Sequence, residues 1–250
     1  MQNYFELIVD IGENMLLAGA EVHRVEDSIE RMCTAVGFYR TDVFIITSCM
    51  FVTVYAKDTN YTQIRRIKTM RTDFERLHRL NDLSREICSR HPTFDEASSR
   101  LREIKSVKHI PFWLEALSNI LAAGGFTVFF GGGATEALVS ALIGFLLCNL
   151  VFLLDRVHLN KIFSKALGAF FVTLGAYGAM KVGVVAGMDK IIIGNIMLLV
   201  PGVVFTNGFR DLLLGDSISG WLRLSEALIQ TLAMAAGYVT FMFLIGGIAA

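Results

Sequence analysis

The sequence is poor in cysteine and has no excess of either charge, and both absences restrict what the protein can do. Only 4 of its 250 residues are cysteine, none forms a CxxC pair, and Cys148 lies inside an apolar run. A disulfide framework or a zinc site is therefore not expected, and the sequence predicts no metal and no cofactor. The 23 basic residues are balanced by 23 acidic ones, so the chain lacks the positive field that attracts nucleic acid.

Sequence signatures of catalysis are also missing. The chain contains no GxSxG, HExxH, Walker or dinucleotide-binding pattern, each of which fixes reactive or phosphate-binding groups at a set spacing. The glycine run 131–133 has no preceding strand and no following lysine, so it predicts a tight turn. The N-terminus lacks a positive region and an uninterrupted apolar core, so a secretory signal peptide is not expected. We therefore predict a protein that is not an enzyme.

Charge is concentrated in the first part of the chain. Of the 23 basic and 23 acidic residues, 16 of each fall at or before residue 110, and 7 of each fall after it. Such a step in polarity indicates two domains in different solvents. We predict a cytosolic domain at 1–110 and a membrane domain at 111–250.

Five long apolar stretches follow Pro111. Each is near the ~20 residues that a helix needs to cross ~30 Å of hydrocarbon, and their continuous apolar character favours helices over barrel strands. The stretches are 112–130, 134–154, 166–186, 190–208 and 225–248. The predicted fold is an α-helical membrane bundle of about five spans preceded by a small α+β cytosolic domain.

Basic residues between the predicted spans indicate the orientation. The connections after the second and fourth stretches hold five of them, and the connections on the opposite side hold two. The five are Arg156, Lys161, Lys165, Arg210 and Arg223, and the two are Lys181 and Lys190. The positive-inside rule then puts the N-terminus in the cytosol and the C-terminus outside. Many small residues in the spans predict close helix packing and an oligomer.

The first 110 residues show the patterns of helices and of a short sheet. Gly19 and Gly37 mark the ends of two amphipathic segments, Ser48 lies at a turn between two β-rich runs, and the spacing of Thr93 to Glu96 matches a capping box. Helices are predicted at 4–18, 21–36, 73–90 and 93–107, and strands at 42–58 and 61–68. Together these segments predict an α+β domain.

The stretch 190–208 is the apolar stretch best suited to a polar site. Pro201 has no N–H and removes a helical hydrogen bond, which frees carbonyl groups that need partners in protein or in a watery cavity. Asn195 and Asn207 lie on either side of it. Because many transporters build a site from a broken helix, these three residues are candidates for the transport pathway. A simple kink is the alternative.

Further polar candidates lie close to predicted spans. Arg210 and Asp211 could hold the carboxylate and the ammonium group of a substrate, or they could pair with each other or with Asp216. Asn119 and Glu136 lie in or near spans, where an ionised group at mid-bilayer costs ~2.5 to 3.5 kcal/mol. Both are candidates for the pathway. Anchoring at the membrane interface is the alternative for Glu136.

A charged group occupies the start of the second predicted helix. Glu21, Arg24 and Glu26 crowd this end, while the other face of the helix is apolar. Charged pairs at i,i+3 are common on a solvated helix face, and the residues alone favour that interpretation. A role in gating or in docking of the cytosolic domain is the alternative.

The segments 19–37 and 201–228 resemble the threonine/serine exporter family of bacterial membrane proteins, and the likeness covers nearly the whole chain. The pattern G-x-E-x-x-R-x-E begins at Gly19, and a P-G...N-x-x-R-D...G-D...S-G run begins at Pro201. The matching positions are Gly19, Glu21, Arg24 and Glu26 in the first, and Pro201, Gly202, Asn207, Arg210, Asp211, Gly215, Asp216, Ser219 and Gly220 in the second.

The resemblance implies export of small metabolites across the bacterial cytoplasmic membrane, driven by the proton gradient. The substrates are threonine and serine in some members and dicarboxylates such as succinate in others. Because the sequence ends after the fifth predicted span, it resembles the larger subunit of a split exporter, with a second small membrane subunit as partner. The resemblance also implies gating or docking by Glu21, Arg24 and Glu26.

A membrane-anchored sensory or scaffold protein is the competing hypothesis. In that case the cytosolic domain would bind a ligand or partner, and the segment 201–228 would not matter to it. An intramembrane enzyme is disfavoured because no predicted span holds a paired nucleophile and base.

Overall fold

The structure is a computed structural model that describes residues 1–57, 59–68, 72–107 and 110–248. It is mostly helical (72%) with one small sheet. The described residues form two compact units. The first unit lies within 1–108 and includes Val204–Leu224, and the second lies within 109–203 and 225–250.

Within the part of the chain that the structure describes, six helices contribute to the first unit. Gly37 ends the second of them in the left-handed conformation (φ 100°), and a capping box between Thr93 and Glu96 starts the fourth, so both predicted end signals are confirmed. The helices are α1 (Gln2–Leu17), α2 (Val22–Val36), α3 (Phe74–Arg90), α4 (Phe94–Ser106), most of α9 (Gly202–Leu214) and the first turns of α10 (Ser217–Ile248).

A three-stranded antiparallel sheet completes the first unit. Its strands are β1 (Arg40–Ile46), β2 (Cys49–Tyr55) and β3 (Asn60–Arg66), in the order β1-β2-β3. One face of β2 is fully buried in the core through Met50, Val52 and Val54, where it joins apolar residues of α1 and α2 such as Phe5 and Ile29. The predicted α+β fold is therefore present.

The second unit contains the apolar helices. They are α5 (Phe112–Phe129), α6 (Ala134–Arg156), α7 (Lys161–Lys181), α8 (Asp189–Ile196) and the part of α10 from residue 225. Among the described residues, α5, α6, α7 and α10 are long and apolar enough to cross a membrane. Only 17–33% of each apolar window is buried, and many of the exposed side chains are large and apolar, as expected of helices that meet lipid. A multi-pass membrane protein is thus supported.

The stretch 190–208, predicted as one span, is divided into two helices. The first, α8, has 8 residues, and a helix of that length covers only ~12 Å at 1.5 Å per residue. Residues 197–201, here called the break, separate it from α9, which starts after Pro201. The proline lacks a donor and disfavours helical geometry at Val200. Four spans are found by length and composition, so the count of five is not confirmed.

Candidate functional site

The two segments that the sequence singled out meet within the first unit. Gly19 has a φ of +90°, which a residue with a side chain rarely adopts, and it turns the chain sharply between α1 and α2. This turn exposes two carbonyl groups to α9 and α10. Asn207 Nδ2 donates to the Gly19 oxygen at 3.2 Å, and Arg223 Nη2 donates to the Ala20 oxygen at 2.9 Å.

A buried ion pair lies beside this turn. Arg223 Nε is 3.3 Å from Asp211 Oδ2, and the side chains are 3% and 0% exposed. Removing one partner of such a pair leaves a charge without compensation away from water, which costs ~3–5 kcal/mol. Burial raises the pKa of the Asp211 carboxyl, while Arg223 and the backbone amide of Val22 oppose the shift. The pair therefore depends on the close fit of α9, α10 and the start of α2.

A second, more exposed ion pair joins the same elements. Arg210 Nη1 of α9 donates to Glu21 Oε1, the residue that precedes α2. The Glu21 side chain is 12% exposed and that of Arg210 is 54% exposed. Arg210 and Asp211 are thus paired with Glu21 and Arg223, rather than with each other. We call the group formed by Gly19, Ala20, Glu21, Asn207, Arg210, Asp211 and Arg223 the α2–α9 junction.

Two glycines let α9 and α10 approach closely enough to form the junction. A Cβ on Gly220 would lie 2.8 Å from the Gly208 carbonyl oxygen, so larger residues would separate the helices and pull Asp211 away from Arg223. The outer face of α9 is apolar and exposed at Phe205, Phe209 and Leu213. Residues at i, i+4 and i+8 form one stripe on a helix, and an exposed apolar stripe is typical of a helix that meets lipid.

Three titratable side chains cluster beside the junction. His23 and Glu26 of α2 and Asp216 of the α9–α10 turn bring possible ligand atoms within 4.8 Å of one another, so they could share a cation. Glu26 Oε1 accepts the backbone N–H of Ile45 at 3.0 Å. Burial, and next the Asp216 carboxylate, raise the pKa of Glu26 to about 7. A proton on Glu26 is therefore one way to relieve the repulsion of the two carboxylates.

This shift predicts that stability falls as the pH rises. A carboxyl whose pKa is raised by folding, here from 4.5 to about 7, stabilises the folded state fully below the lower value, and the effect is lost as the pH rises through the higher one. The unfolding temperature of the full chain in detergent should thus fall from about pH 5 to about pH 8. Glu26→Gln should flatten this slope, measured by circular dichroism.

Glu6→Gln serves as the control because Glu6 is an exposed acid on α1 of the same unit. The control should keep the wild-type slope. An equal slope in Glu26→Gln and wild type would contradict the assignment.

Asn195 belongs to a group of buried polar side chains in the second unit. Its Nδ2 donates to Ser140 Oγ at 2.7 Å, and Thr127 Oγ1 is 2.6 Å from the same hydroxyl. All three side chains are fully buried. The Asn195 Oδ1 atom is buried with no hydrogen-bond partner among the described residues. An unpaired acceptor inside an apolar bundle is costly. A ligand or water that donates a hydrogen bond to this oxygen would therefore be stabilised there.

Lys165 provides a hydrogen-bond donor for a backbone carbonyl group in the break. Lys165 Nζ of α7 donates to the carbonyl oxygen of Leu199, which lies in the break. Backbone that leaves the helix at membrane depth needs such a partner. The break is therefore held by a charged side chain that lies 34 residues earlier in the chain.

The remaining predicted residues are bonded within their own neighbourhood. Asn119 Nδ2 donates to the Glu115 oxygen one turn earlier at 2.8 Å. Glu136 Oε2 accepts the Gly133 N–H at 2.6 Å and caps the start of α6. Neither has a described side-chain hydrogen bond to the Asn195 group. Arg24 lies on the exposed side of α2.

Some residues of these arrangements escaped prediction from the sequence. In the sequence, Arg223 and Lys165 indicate only the orientation of the spans, and nothing distinguishes Ser140 and Thr127. One signal was available, since a lysine or arginine within an apolar helix needs a partner. That signal indicates that a partner exists but not which residue it is.

Comparison with known proteins gives one family match and distant relatives. Residues 6–245 match the sequence model of the family described as "Putative threonine/serine exporter". The chain is 25% identical over 239 residues to a "Probable threonine/serine exporter" of Mycobacterium tuberculosis (strain ATCC 25618 / H37Rv), which is 93% of this chain and 44% of that protein. It is 24% identical over 249 residues to an uncharacterized protein of Schizosaccharomyces pombe, 93% of this chain and 29% of that protein.

The chain therefore spans less than half the length of these curated relatives. The resemblance drawn from the sequence motifs is confirmed by the family match. No solved structure matches the chain.

Proposed function

Because the chain belongs to the threonine/serine exporter family, we propose that it carries threonine and serine out of a bacterial cell across the cytoplasmic membrane. The family points to a membrane transporter rather than an enzyme. The observation that carries the proposal is the break between α8 and α9, where the Leu199 carbonyl accepts a hydrogen bond from Lys165. Transporters use the ends of broken helices to bind substrates and ions near the middle of the membrane.

The pathway in this proposal starts at the break. Asn195 offers a buried, unpaired oxygen, and Pro201 keeps the backbone open. Asn119 and Glu136 are proposed as polar groups further along the pathway. With the divided stretch as the additional crossing, five crossings put the two termini on opposite sides, and the basic residues between the spans then favour an N-terminus in the cytosol and a C-terminus outside.

The α2–α9 junction is the proposed gate. Its residues Asn207, Arg210 and Asp211 hold the turn before α2, and α10 continues from the first unit into an apolar helix of membrane-spanning length. Arg24 and Glu26 on α2 are proposed to assist in gating or in docking of the cytosolic domain. A change in these contacts could thus be passed along α10.

Proton coupling is assigned to Glu26 and Asp216. A carboxyl with a pKa of about 7 can bind and release a proton at cytosolic pH, which coupling to the proton gradient requires. Dicarboxylates such as succinate are the alternative substrates. A second small membrane subunit is proposed from the family resemblance, and assembly into an oligomer is proposed from the many small residues in the apolar helices.

Uptake into inverted membrane vesicles tests the proposal, since their interior corresponds to the outside of the cell. Vesicles from cells that express the chain, alone and with the second subunit, should take up labelled threonine and serine when the vesicle interior is made more acidic than the medium. Lysine uptake is the specificity control. Failure to move threonine, serine or succinate, with both proteins shown to be folded, would disprove export.

The Arg210–Glu21 pair gives a prediction for the gate. Arg210→Ala should reduce threonine uptake into these vesicles by up to about fivefold, because an ion pair with an exposed partner contributes up to about 1 kcal/mol. Arg210→Lys keeps a positive charge beside Glu21 and should recover most of the activity.

The control for this pair is Arg156→Ala, which removes a basic residue at the end of α6 in the second unit. It should keep near wild-type uptake and membrane insertion. Loss of uptake in Arg210→Lys equal to that in Arg210→Ala would argue against a gating ion pair.

A further inference from the structure

The first unit contains a small cavity with both charges at its wall. Its volume is about 170 Å³, a little more than the ~150 Å³ of an apolar cavity that holds benzene. A molecule of about eight heavy atoms therefore fits, whereas a nucleotide does not. Met15, Val25 and Leu77 supply an apolar wall, from α1, α2 and α3 respectively.

Opposite charges face this cavity from the start of α2. Arg24 lines it, and among the described residues this guanidinium has no ion pair. Glu21 also lines it and is largely buried, with one carboxylate oxygen engaged by Arg210. The unpaired Arg24 guanidinium and the largely buried Glu21 carboxylate therefore lie three residues apart at the start of α2.

Two amides add hydrogen-bond acceptors. Asn81 Nδ2 donates to the Leu77 carbonyl oxygen of its own helix at 2.9 Å, and Asn207 Nδ2 donates to the Gly19 carbonyl oxygen. Each NH₂ group is thus fixed, and each Oδ1 is left as an acceptor. Both residues line the cavity. A ligand with several N–H donors would satisfy these oxygens together with Glu21.

We propose that this cavity binds a small zwitterionic α-amino acid before export, an inference that rests on the proposed function. The ligand carboxylate pairs with Arg24, because a guanidinium can bind a carboxylate through two parallel hydrogen bonds. The ligand ammonium group faces Glu21 and the amide oxygens, and a short side chain lies on the apolar wall. A dicarboxylate is disfavoured because its second carboxylate would meet Glu21, while Arg210 is already engaged.

Binding to the full chain in lipid nanodiscs tests the assignment. Isothermal titration with L-threonine, L-threonine amide, N-acetyl-L-threonine and succinate should give binding for L-threonine only, since each other probe lacks one of the two charged groups. Arg24→Gln should weaken threonine binding by about tenfold or more. Arg31→Gln is the matched control, because Arg31 lies on the same helix but pairs with Asp27.

A second variant keeps the test independent of folding. Asn81→Leu removes one acceptor but breaks only a bond within its own helix, so the unfolding temperature should stay close to that of the wild type while threonine affinity falls several-fold. Equal threonine affinity in wild type, Arg24→Gln and Asn81→Leu would overturn the cavity assignment. So would tighter binding of succinate than of threonine.

The outcomes separate this proposal from the proposed function. Threonine export that persists alongside unchanged binding in Arg24→Gln overturns the cavity and leaves the exporter intact. Threonine binding that depends on Arg24, in vesicles that also contain the second subunit and export no amino acid, supports the cavity and overturns export. In that case the sensory function becomes the better account.

Discussion

Asp211→Asn should leave the chain in the membrane but reduce threonine export by more than about tenfold, because loss of one partner of a buried pair costs ~3–5 kcal/mol. Asp211 is fully buried against Arg223, whose guanidinium is 3% exposed and also binds the Ala20 carbonyl. Without the carboxylate, this guanidinium must leave the junction or stay uncompensated. Membrane insertion should persist since the apolar helices determine it. Vesicle uptake and a membrane-fraction blot measure the two effects.

The double variant Asp211→Asn with Arg223→Gln separates stability from function. Removal of both charges costs less than removal of one, so the unfolding temperature should recover much of what the single variant loses. Export should stay low, because the proposed gate needs the charged carboxylate. Export that recovers together with the unfolding temperature would contradict a functional role for Asp211. Asp155→Asn, an exposed acid near the end of α6, is the control.

The helices and strands of the first unit follow from local signals. Gly37 ends α2 because a left-handed residue suits glycine, and Thr93 with Glu96 starts α4 by exchanging hydrogen bonds with the backbone. These interactions involve residues three or four positions apart, so the sequence contains all the information they need. Prediction from the sequence was successful for these elements for that reason.

The division of the stretch 190–208 depends on more than the local sequence. Mean hydropathy treats this stretch as one span, and Pro201 alone is compatible with a kink or a break. What favours the break is a partner for the freed backbone, and that partner is Lys165 on α7. A contact with a residue so distant in sequence cannot be read from the composition of the stretch itself.

The pairing within the α2–α9 junction was likewise beyond the sequence. Glu21, Arg210 and Asp211 were identified as candidates, but their partners depend on how α9 docks beside the start of α2. Arg210 and Glu21 are 189 positions apart. In the structure Arg210 pairs with Glu21 and Asp211 pairs with Arg223. This arrangement disfavours the alternative in which Arg210 and Asp211 pair with each other.

Lys165→Met should reduce threonine export by about tenfold, because an unpaired buried acceptor costs about 1–3 kcal/mol. Methionine keeps much of the length and apolar character of the lysine side chain but cannot donate to the Leu199 carbonyl. That carbonyl must then find water or a backbone donor, and either change alters the break at which the pathway is proposed to start. Lys165→Arg retains a charged donor and should keep a substantial part of the activity. Vesicle uptake measures both.

A matched control for this lysine lies at the opposite end of the same helix. Lys181, which lies over the Tyr177 ring at 5.4 Å, is the last residue of α7. Lys181→Met removes the same charge but leaves the hydrogen bond from Lys165 Nζ to the Leu199 carbonyl in place. Its uptake should remain near that of the wild type. If Lys165→Met and Lys181→Met export threonine equally well, the break does not need its charged partner, and a pathway built on a broken helix loses its main support.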